Sequence, residues 1–425
     1  MTCYLAKYAR LTPNNPFLYF NDNHYYSYKD FHEKCLQLCT SLSKKNFQPG
    51  SRIVVYTSDV FTVMLYILAC WKLRLIAVPV NPSFPELYVN EIAKSITAST
   101  LYKALPDLKH SQININLTTL SSHQELCFIL TSGSTGSPKI ASLNTSALFS
   151  SAQFCAKNLL MDTQSCALLS LPLYHVSGLS ILCRSLYVGG SLYLAHKSNN
   201  LPDKITHISA VRSQVYDIIK SQKLAPKSLK AFLVGGSYIP LDLLNKLISL
   251  KYTVFMSYGC TEYASQIAYS CFNKHKKIHF QLLPQLATYT SSTNELFIKG
   301  PSLFSGYWDK KHQCLVQYCD ENYFFNTRDD AEIIESGRLV LKEKTNNRVI
   351  SGGENIDLLQ IKNRLESFED VSSVQVSFID HIKWGKRPIA SFSYTGNQSE
   401  VFFKNALKQY LPSFMVPDKL IIKYL

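Results

Sequence analysis

The sequence predicts an α/β fold: a large N-terminal domain with parallel sheets and helices, plus a small α+β domain at the C-terminal end. Three observations support this fold class. Helical and strand-like segments alternate, several strand-like segments end in loops of small residues, and the texture becomes turn-rich after Gly300, with a second unit starting near Val349. The chain has 425 residues, more than one hydrophobic core usually holds. We expect domains at 1–345 and 346–425.

The N-terminal part supplies the first alternation of helices and strands. Apolar residues recur at helical spacing from Tyr28 to Leu42, and Pro49-Gly50 separates this helix from the next apolar segment. The predicted elements are, in order, a helix over 28–42, a strand over 52–57, a helix over 60–73 and a strand over 75–80. This order is typical of a parallel sheet covered by helices.

Four apolar segments further along the chain lead directly into loops of small residues. They are Phe128–Leu130 before a Gly-rich loop, Ala167–Leu171 before Pro172, Ala231–Val234 before Gly235-Gly236, and Thr253–Met256 before Tyr258-Gly259. Ligands of parallel sheets bind in the crevice beyond the carboxyl ends of the strands. We therefore expect these loops to share one cleft.

Composition narrows the class of protein. Apolar residues make up 46% and charged residues 17%, which indicates a globular chain. The formal charge of +14 fits nucleic acid, an anionic membrane or small polyanions such as nucleotides and coenzyme A (CoA). Lysines are scattered and no aromatic-basic repeat occurs, so we expect no nucleic-acid partner. The most apolar segment, Phe61–Trp71, is too short to span a bilayer, and we expect a buried helix and no membrane partner.

Cysteine usage and the N-terminus indicate the compartment. The chain has 12 cysteines but no Cys-x-x-Cys, which favours buried reduced thiols over zinc ligands or disulfides. The first residues, MTCYLAKYARLTPNN, contain no apolar signal core. We expect a cytoplasmic protein, and the sequence leaves its oligomeric state open, a homo-oligomer included.

The segment Thr131–Lys139 (TSGSTGSPK) combines glycines, hydroxyl residues and a lysine directly after an apolar strand. Backbone N–H groups and hydroxyls of such a loop suit phosphate oxygens, and Lys139 supplies positive charge. The spacing differs from the P-loop of kinases and GTPases, since Pro138 precedes the lysine. A Ser/Gly-rich linker is the alternative. The predicted phosphate-binding residues are Thr131, Ser132, Gly133, Ser134, Thr135, Gly136 and Lys139.

This loop resembles that of the acyl-adenylate-forming superfamily, which reads TSGSTGxPK. Further matching motifs follow in the family's order: YSYKDF near Tyr28, the Gly235-Gly236 loop, SYGCTE at 257–262, GYW at 306–308 and SGGENI at 351–356. The resemblance implies that 1–345 is an AMP-binding (adenylation) domain and that 346–425 is a mobile C-terminal domain. It also implies that ATP, Mg²⁺ and CoA are the ligands.

The resemblance assigns the nucleotide-binding residues. In YGCTE, it implies that Tyr258 stacks on adenine beside Gly259, that Thr261 meets phosphate and that Glu262 holds Mg²⁺, a hard cation that prefers carboxylate oxygens. Taken alone, Glu262 would be read as a surface carboxylate. The other residues implied to contact the nucleotide are Gly235, Gly236 and Ser237 along the adenine, and Asp329 and Lys344 at the ribose.

The sequence departs from the family pattern in two places near the ribose. Arg328 replaces the glycine that usually precedes the aspartate, and Glu343-Lys344 replace a Gly-Arg pair, so that the ribose contact is at best a lysine. A hinge is implied near 345–347.

The acyl site rests on a narrower resemblance. His175, in PLYHVSGL, matches a histidine between the acyl pocket and the nucleotide, although a lone histidine is often a core residue. The segments 171–189 and 206–211 resemble the superfamily members that join 2-succinylbenzoate to CoA in menaquinone biosynthesis. That substrate keeps a second carboxylate, for which the resemblance implies Arg184, with Ser265 and Gln266 near the acyl group. An arginine on a surface helix is the alternative.

The implied reaction has two steps, formation of acyl-AMP and pyrophosphate followed by transfer of the acyl group to CoA. The family's glycine-led C-terminal lysine has no counterpart in PSFMVPDKLIIKYL, so we expect a truncated small domain and slow adenylation, with Lys419 or Lys423 as replacements. Three alternatives stay open: another acyl-CoA synthetase, a protein that binds acyl-adenylate without turnover, and a regulatory nucleotide-binding module.

Overall fold

The computed structural model describes residues 3–108, 119–131, 139–194, 201–273, 278–334, 337–342 and 349–425. Several sequence predictions lie outside these residues. They concern Ser132, Gly133, Ser134, Thr135, Gly136, Lys344 and the hinge at 345–347. The domain boundary also falls there and stays a prediction.

Helices and strands alternate as predicted. The helices are α1 (Tyr4–Leu11), α2 (Tyr28–Ser43), α3 (Val60–Lys72), α4 (Glu86–Ser95), α5 (Thr145–Asn158), α6 (Val176–Val188), α7 (Arg212–Lys220), α8 (Leu241–Ser249), α9 (Leu358–Glu366) and α10 (Glu400–Lys408), with a 3₁₀ turn at Thr261–Tyr263. The strands are β1 (Pro16–Tyr19), β2 (Tyr25–Ser27), β3 (Arg52–Val55), β4 (Ile76–Pro79), β5 (Thr100–Tyr102), β6 (Glu125–Thr131), β7 (Lys139–Asn144), β8 (Cys166–Leu169), β9 (Ser191–Leu194), β10 (His207–Ala210), β11 (Ala231–Val234), β12 (Val254–Tyr258), β13 (Ala268–Cys271), β14 (Phe280–Leu282), β15 (Ala287–Thr290), β16 (Glu295–Lys299), β17 (Gly306–Asp309), β18 (Cys314–Val316), β19 (Phe325–Ile334), β20 (Arg338–Leu341), β21 (Val349–Ser351), β22 (Glu354–Ile356), β23 (Val371–His381), β24 (Gly385–Tyr394) and β25 (Lys419–Tyr424).

The largest sheet carries three of the four loops expected to form the cleft, those after β8, β11 and β12. Its strand order is β15-β16-β19-β20-β14-β13-β12-β11-β10-β8-β9-β1-β2. The central strands β12, β11, β10, β8 and β9 run parallel, whereas β13, β14, β20, β19 and β16 pair antiparallel. Because β8, β10, β11 and β12 are parallel neighbours, their carboxyl ends lie along one edge.

The second sheet has the order β18-β17-β7-β6-β4-β3-β5. Strands β6, β4, β3 and β5 are parallel, but β6 pairs antiparallel with β7, with Thr131 opposite Lys139. The two ends of the predicted phosphate loop are therefore held side by side by two strands.

Local sequence signals explain the helix positions. Helix α2 begins with a capping box, in which the Ser27 hydroxyl accepts from the Asp30 backbone N–H and the Asp30 carboxylate accepts from the Ser27 N–H. Helix α3 is buried from Thr62 to Lys72, which confirms the buried helix predicted for the most apolar segment. In the part of the chain that the structure describes, no helix is long and apolar enough to cross a bilayer.

The C-terminal residues form a separate small sheet with its own core. Strands β22, β21, β24 and β23 lie in that order, and β25 joins β24 in parallel. Helices α9 and α10 pack on it through a cluster that includes Ile361, Leu365, Phe392, Phe403 and Leu407. All twelve cysteines are free, and seven of them are buried as predicted, whereas Cys271 and Cys314 are exposed.

Candidate active site

A cavity of about 590 Å³ lies at the carboxyl edge of the parallel strands. The loops after β8, β11 and β12 all reach it, as predicted, and so do Thr131 and Lys139, which flank the fourth predicted loop outside the described residues. The loop after β10 also reaches the cavity, through Val211. Eleven described residues from the sequence prediction line its wall: Thr131, Lys139, His175, Arg184, Gly235, Gly236, Gly259, Thr261, Glu262, Ser265 and Asp329. Ser237, Tyr258 and Gln266 are not on the wall, and neither are Lys419 and Lys423, which lie exposed on β25.

Tyr258 lies behind the wall and braces Asp329. Its hydroxyl donates to Asp329 Oδ2 at 2.6 Å, and its ring meets Phe280 edge-on. Burial, with a smaller contribution from the Asp329 carboxylate, raises the pKa of Tyr258 well above its usual value, so the phenol stays neutral. The sequence predicted that Tyr258 contacts adenine and Asp329 the ribose, but it did not predict the hydrogen bond between them.

The residue before Asp329 adopts a backbone conformation that favours glycine, although it is an arginine. Arg328 has φ of 58°, in the left-handed region that side chains with a Cβ disfavour. Its N–H donates to Asn326 Oδ1 at 2.7 Å, which holds this conformation. The substitution of arginine for glycine therefore leaves the local geometry in place.

Glu262 lies in the 3₁₀ turn after β12. The Tyr307 hydroxyl donates to its Oε1, and the Phe304 N–H donates to its backbone carbonyl at 2.8 Å. Among the described residues there is no group of three or more His, Cys, Asp or Glu that could hold a metal by itself. One carboxylate beside the hydroxyl residue Thr261 fits Mg²⁺, which usually takes one or two carboxylates and completes its shell with phosphate oxygens and water.

Lys139 begins β7 at the same end of the cavity. Its ammonium lies 4.8 Å from the ring centroid of Tyr307 and 5.6 Å from that of Tyr318. Both tyrosines line the cavity. The lysine charge is therefore held against two aromatic faces next to Glu262.

The turn between β12 and β13 is tight and strained. Ala264 has φ of 49° and Ser265 φ of 110°, both unfavourable for residues with side chains. A Cβ added to Gly259 would lie 1.5 Å from the Ser265 carbonyl oxygen, so only glycine fits there. This turn places Glu262 on one side of the cavity and Ser265 on the other.

Arg184 lines the part of the cavity wall that the resemblance assigns to the acyl group, here named the acyl end. Only 4% of its surface is exposed. One guanidinium nitrogen, Nη1, donates to Cys155 Sγ at 3.0 Å, and Nη2 donates to Ser209 Oγ at 3.0 Å. Within the described ranges, Arg184 has no ion-pair partner, and its Nε is buried without a hydrogen bond. A buried cation with only neutral acceptors suits an anionic group of a ligand.

His207 lies behind Arg184 and stays neutral. Its Nε2 is 2.9 Å from the Leu159 carbonyl oxygen, and its Nδ1 is 2.7 Å from Thr206 Oγ1. Burial lowers the pKa of His207 to about 4, although the contact with Leu159 opposes the shift. Arg184 is thus the positive charge at this end near neutral pH.

His175 meets the C-terminal sheet across the cavity. Its Nε2 lies 2.9 Å from Glu354 Oε2 in the β21–β22 hairpin. Burial and the Glu354 carboxylate raise the pKa of the neighbouring Tyr174 phenol. Ile350 and Gly353 of the same hairpin line the cavity. The C-terminal sheet therefore contributes to the site, in addition to the two sheets of the N-terminal part.

Two predicted acyl-site residues differ in their surroundings. Ser265 lines the cavity, whereas Gln266 is 1% exposed and its Nε2 donates to Ser257 Oγ at 3.3 Å. Gln266 therefore supports the wall from behind.

Sequence reasoning missed three residues of the cavity wall, Tyr307, Tyr318 and Ser209. It also missed Cys155 and Glu354, which contact the wall residues Arg184 and His175. The GYW and SGGENI motifs contain two of these five residues, so the signal was present without an assigned role. Ser209 lies in the resembling segment 206–211 but had no assigned role, and Cys155 lies in no motif, so that only packing against α6 brings the two residues to Arg184.

The chain belongs to the AMP-binding enzyme family. The family's sequence pattern matches residues 5–126 and 103–308. Two similar relatives are 2-succinylbenzoate–CoA ligases. That of Oceanobacillus iheyensis is 28% identical over 98% of this chain and 94% of its own length. That of Haemophilus influenzae is 27% identical over 91% of this chain and 84% of its own length.

Solved structures confirm the predicted fold class. The o-succinylbenzoate CoA synthetase of Bacillus subtilis, bound with a product analogue, superposes with a TM-score of 0.89 at 23% identity, covering 100% of this chain and 95% of that one. The same synthetase in complex with its acyl-adenylate intermediate gives 0.72 at 22% identity, covering 100% and 94%. The large α/β domain and the small α+β domain are the architecture of this fold.

Proposed function

We propose that the chain is an AMP-forming acid–thiol ligase that activates 2-succinylbenzoate with ATP and transfers the acyl group to CoA in menaquinone biosynthesis. Membership of the AMP-binding enzyme family and the names of the similar relatives support this reaction. Twelve free cysteines support a cytoplasmic location. ATP, 2-succinylbenzoate and CoA are its small-molecule partners.

The observation that carries the choice of substrate is the buried Arg184 on the cavity wall. Its two hydrogen-bond acceptors, Cys155 and Ser209, are neutral, so the guanidinium charge is not compensated by them. Truncation of one member of a buried charge pair costs about 2–5 kcal/mol, which shows how strongly such a site selects an anion. The benzoate carboxylate of 2-succinylbenzoate supplies that anion, while the succinyl carboxylate faces the nucleotide.

The nucleotide end supports activation by ATP. Lys139 and the hydroxyl residues Thr131 and Thr261 line the same wall as Glu262. Positive charge and hydroxyl donors there stabilise the negative charge that develops on the phosphates during adenylation. Mg²⁺, held at Glu262 with ATP oxygens, would add charge stabilisation when bound. Asp329, braced by Tyr258, suits the ribose hydroxyls as a hydrogen-bond acceptor.

The test compares two substrates with and without the guanidinium. We expect Arg184→Gln to lower kcat/KM for 2-succinylbenzoate by a hundredfold or more, on the scale of about 3–4 kcal/mol. The matched substrate is 4-oxo-4-phenylbutanoate, which lacks only the ring carboxylate. For this substrate, the same substitution is expected to change kcat/KM less than threefold, because the molecule has no ring carboxylate for Arg184 to bind. ATP-dependent pyrophosphate release and thioester formation are measured for each pair.

The same assay separates the alternatives. Equal losses on both substrates would contradict the role of Arg184 as a carboxylate ligand. Thioester formation on other acids but not on 2-succinylbenzoate would indicate a different acyl-CoA synthetase. Tight binding of a synthetic acyl-adenylate without pyrophosphate release would indicate a binding protein without turnover.

A further inference from the structure

Tyr307 lies between two charged residues of the nucleotide end. Its side chain is buried, with 7% exposed, and lines the cavity. Its hydroxyl donates to the Glu262 carboxylate, and its ring centroid lies 4.8 Å from the Lys139 ammonium. A single phenol therefore contacts both a carboxylate and an ammonium.

The strand register explains the contact with Lys139. Tyr307 on β17 is directly opposite Ala141 on β7, two residues from Lys139. It is also opposite Val316 on β18, two residues before Tyr318. Residues two positions from a directly opposite pair share its face and are within reach of long or aromatic side chains. Lys139 at the start of β7, Tyr307 on β17 and Tyr318, two residues past the end of β18, thus form a diagonal row.

The contact with Glu262 has a second, backbone cause. The Phe304 N–H donates to the Glu262 carbonyl, which ties the 3₁₀ turn to the segment that leads into β17. The Phe304 ring packs edge-on against Tyr307 with centroids 4.9 Å apart, and Tyr318 does so at 5.3 Å. The phenol is held on two sides, so its hydroxyl has a fixed direction toward the carboxylate.

We propose that Tyr307 is a positioning residue of the nucleotide site: its hydroxyl fixes the carboxylate of Glu262 and its ring seats the ammonium of Lys139. This inference rests on the proposed ATP-dependent function. Mg²⁺ demands near-ideal octahedral geometry, so a carboxylate ligand with a fixed rotamer binds it better than a mobile one. Hydrogen-bond partners of metal-binding groups commonly contribute a factor of ten or more to metal affinity.

The two functions of the side chain can be separated by substitution. Tyr307→Phe removes the hydroxyl and keeps the ring, whereas Tyr307→Leu removes both. We expect Tyr307→Phe to weaken Mn²⁺ binding to the complex of the protein with a non-hydrolysable ATP analogue about tenfold. Binding of the same analogue without metal stays within twofold of the wild type. Tyr307→Leu weakens the metal-free binding as well, about threefold, because Lys139 loses its aromatic face.

The measurements are electron paramagnetic resonance of Mn²⁺ and calorimetry of the analogue, each on the full chain. Tyr323→Phe is the matched control, since it removes a phenol hydroxyl from an exposed tyrosine outside the cavity wall. Thermal unfolding of each variant accompanies the titrations. A purely structural tyrosine would lower the unfolding temperature and both affinities together.

Two results would overturn the inference. One is Mn²⁺ affinity of Tyr307→Phe within twofold of the wild type, and the other is equal effects of Phe and Leu on both titrations. Neither titration uses an acyl substrate, so a wrong choice of acid leaves the test intact. A wild-type chain that binds no nucleotide would refute both this inference and the proposed function, whereas normal wild-type binding with an unaffected Tyr307→Phe would refute this inference alone.

Discussion

The two ends of the cavity hold their charges in opposite ways. At the nucleotide end, acidic side chains already have donors within the protein: Tyr258 donates to Asp329 and Tyr307 to Glu262. At the acyl end, the buried cation Arg184 is held by Cys155 and Ser209, which carry no charge. At the first end, protein side chains already hydrogen-bond the charged groups. At the second end, the charge of Arg184 has no opposite charge among its two acceptors, so a ligand can supply it.

This difference corresponds to what each end must bind. A nucleotide and Mg²⁺ bring many charges of both signs, so the protein fixes the positions of its own groups in advance. A small acid brings one additional carboxylate, and one desolvated guanidinium suffices to select it. Preorganisation therefore dominates one end and charge complementarity the other.

The largest expected effect comes from breaking the turn that joins the two ends. In Gly259→Ala, the new Cβ would overlap the Ser265 carbonyl oxygen, 1.5 Å away. We expect the free energy of unfolding to fall by about 3 kcal/mol, because the backbone must shift to relieve the clash. The shift moves Glu262 and Ser265 together, so ATP and acid affinities both fall. Chemical denaturation and ligand titrations measure these changes.

Gly50→Ala is the control for this substitution. Gly50 has φ of 82°, but nothing lies within 4 Å of a Cβ built there. It therefore tests the cost of the backbone conformation alone, about 1 kcal/mol. If Gly259→Ala were as stable and as active as Gly50→Ala, the turn would not fix the positions of Glu262 and Ser265.

The sequence revealed more of the cavity wall around Glu262 than of the surroundings of Arg184, and the reason is physical. Gly259, Thr261 and Glu262 all line the cavity and are near neighbours in the chain, so a motif reveals them. The acyl end is assembled from α5, α6 and β10, whose side chains meet only after packing. Cys155 was thus invisible in the sequence, whereas Gly259 and Glu262 were not.

Fold prediction shows the same limit. The buried helix 60–73 and the strand 231–234 were found because their apolar patterns are local. The antiparallel pairing of β6 with β7, and the row formed by Lys139, Tyr307 and Tyr318, depend on register between distant strands. Register is set by three-dimensional packing, which periodicity does not reveal.

An effect of similar size on the free energy of unfolding appears only at acidic pH and concerns the acyl end. His207 has a pKa of about 4 in the folded chain, against about 6.5 when unfolded. The neutral form is thus favoured by folding, so its stabilisation is present above pH 6.5 and is lost as pH falls toward 4. The loss reaches about 3 kcal/mol at the acidic end of that window. Protonation would also place a second cation beside Arg184, whereas Lys230 and Asp162 act on His207 with opposite signs.

We expect His207→Gln to flatten the fall of the unfolding temperature between pH 6.5 and pH 4. Part of the fall persists, because burial also lowers the pKa of His32 to about 4. His24→Gln, at an exposed position, is expected to keep the wild-type profile. A wild-type pH profile in His207→Gln would mean that this imidazole is charged in the folded protein.

The smallest expected effect concerns the strained backbone at the nucleotide end. Arg328 adopts φ of 58° next to Asp329, and its side chain is exposed. We expect Arg328→Gly to be more stable than Arg328→Ala by about 0.5–1 kcal/mol, because both lack the arginine side chain and only alanine keeps the unfavourable Cβ. Denaturation of the two variants measures this difference directly. Equal stabilities, or a more stable alanine variant, would show that the left-handed backbone at 328 does not lower the free energy of unfolding. The position of Asp329 would then depend on its hydrogen bond with Tyr258 alone.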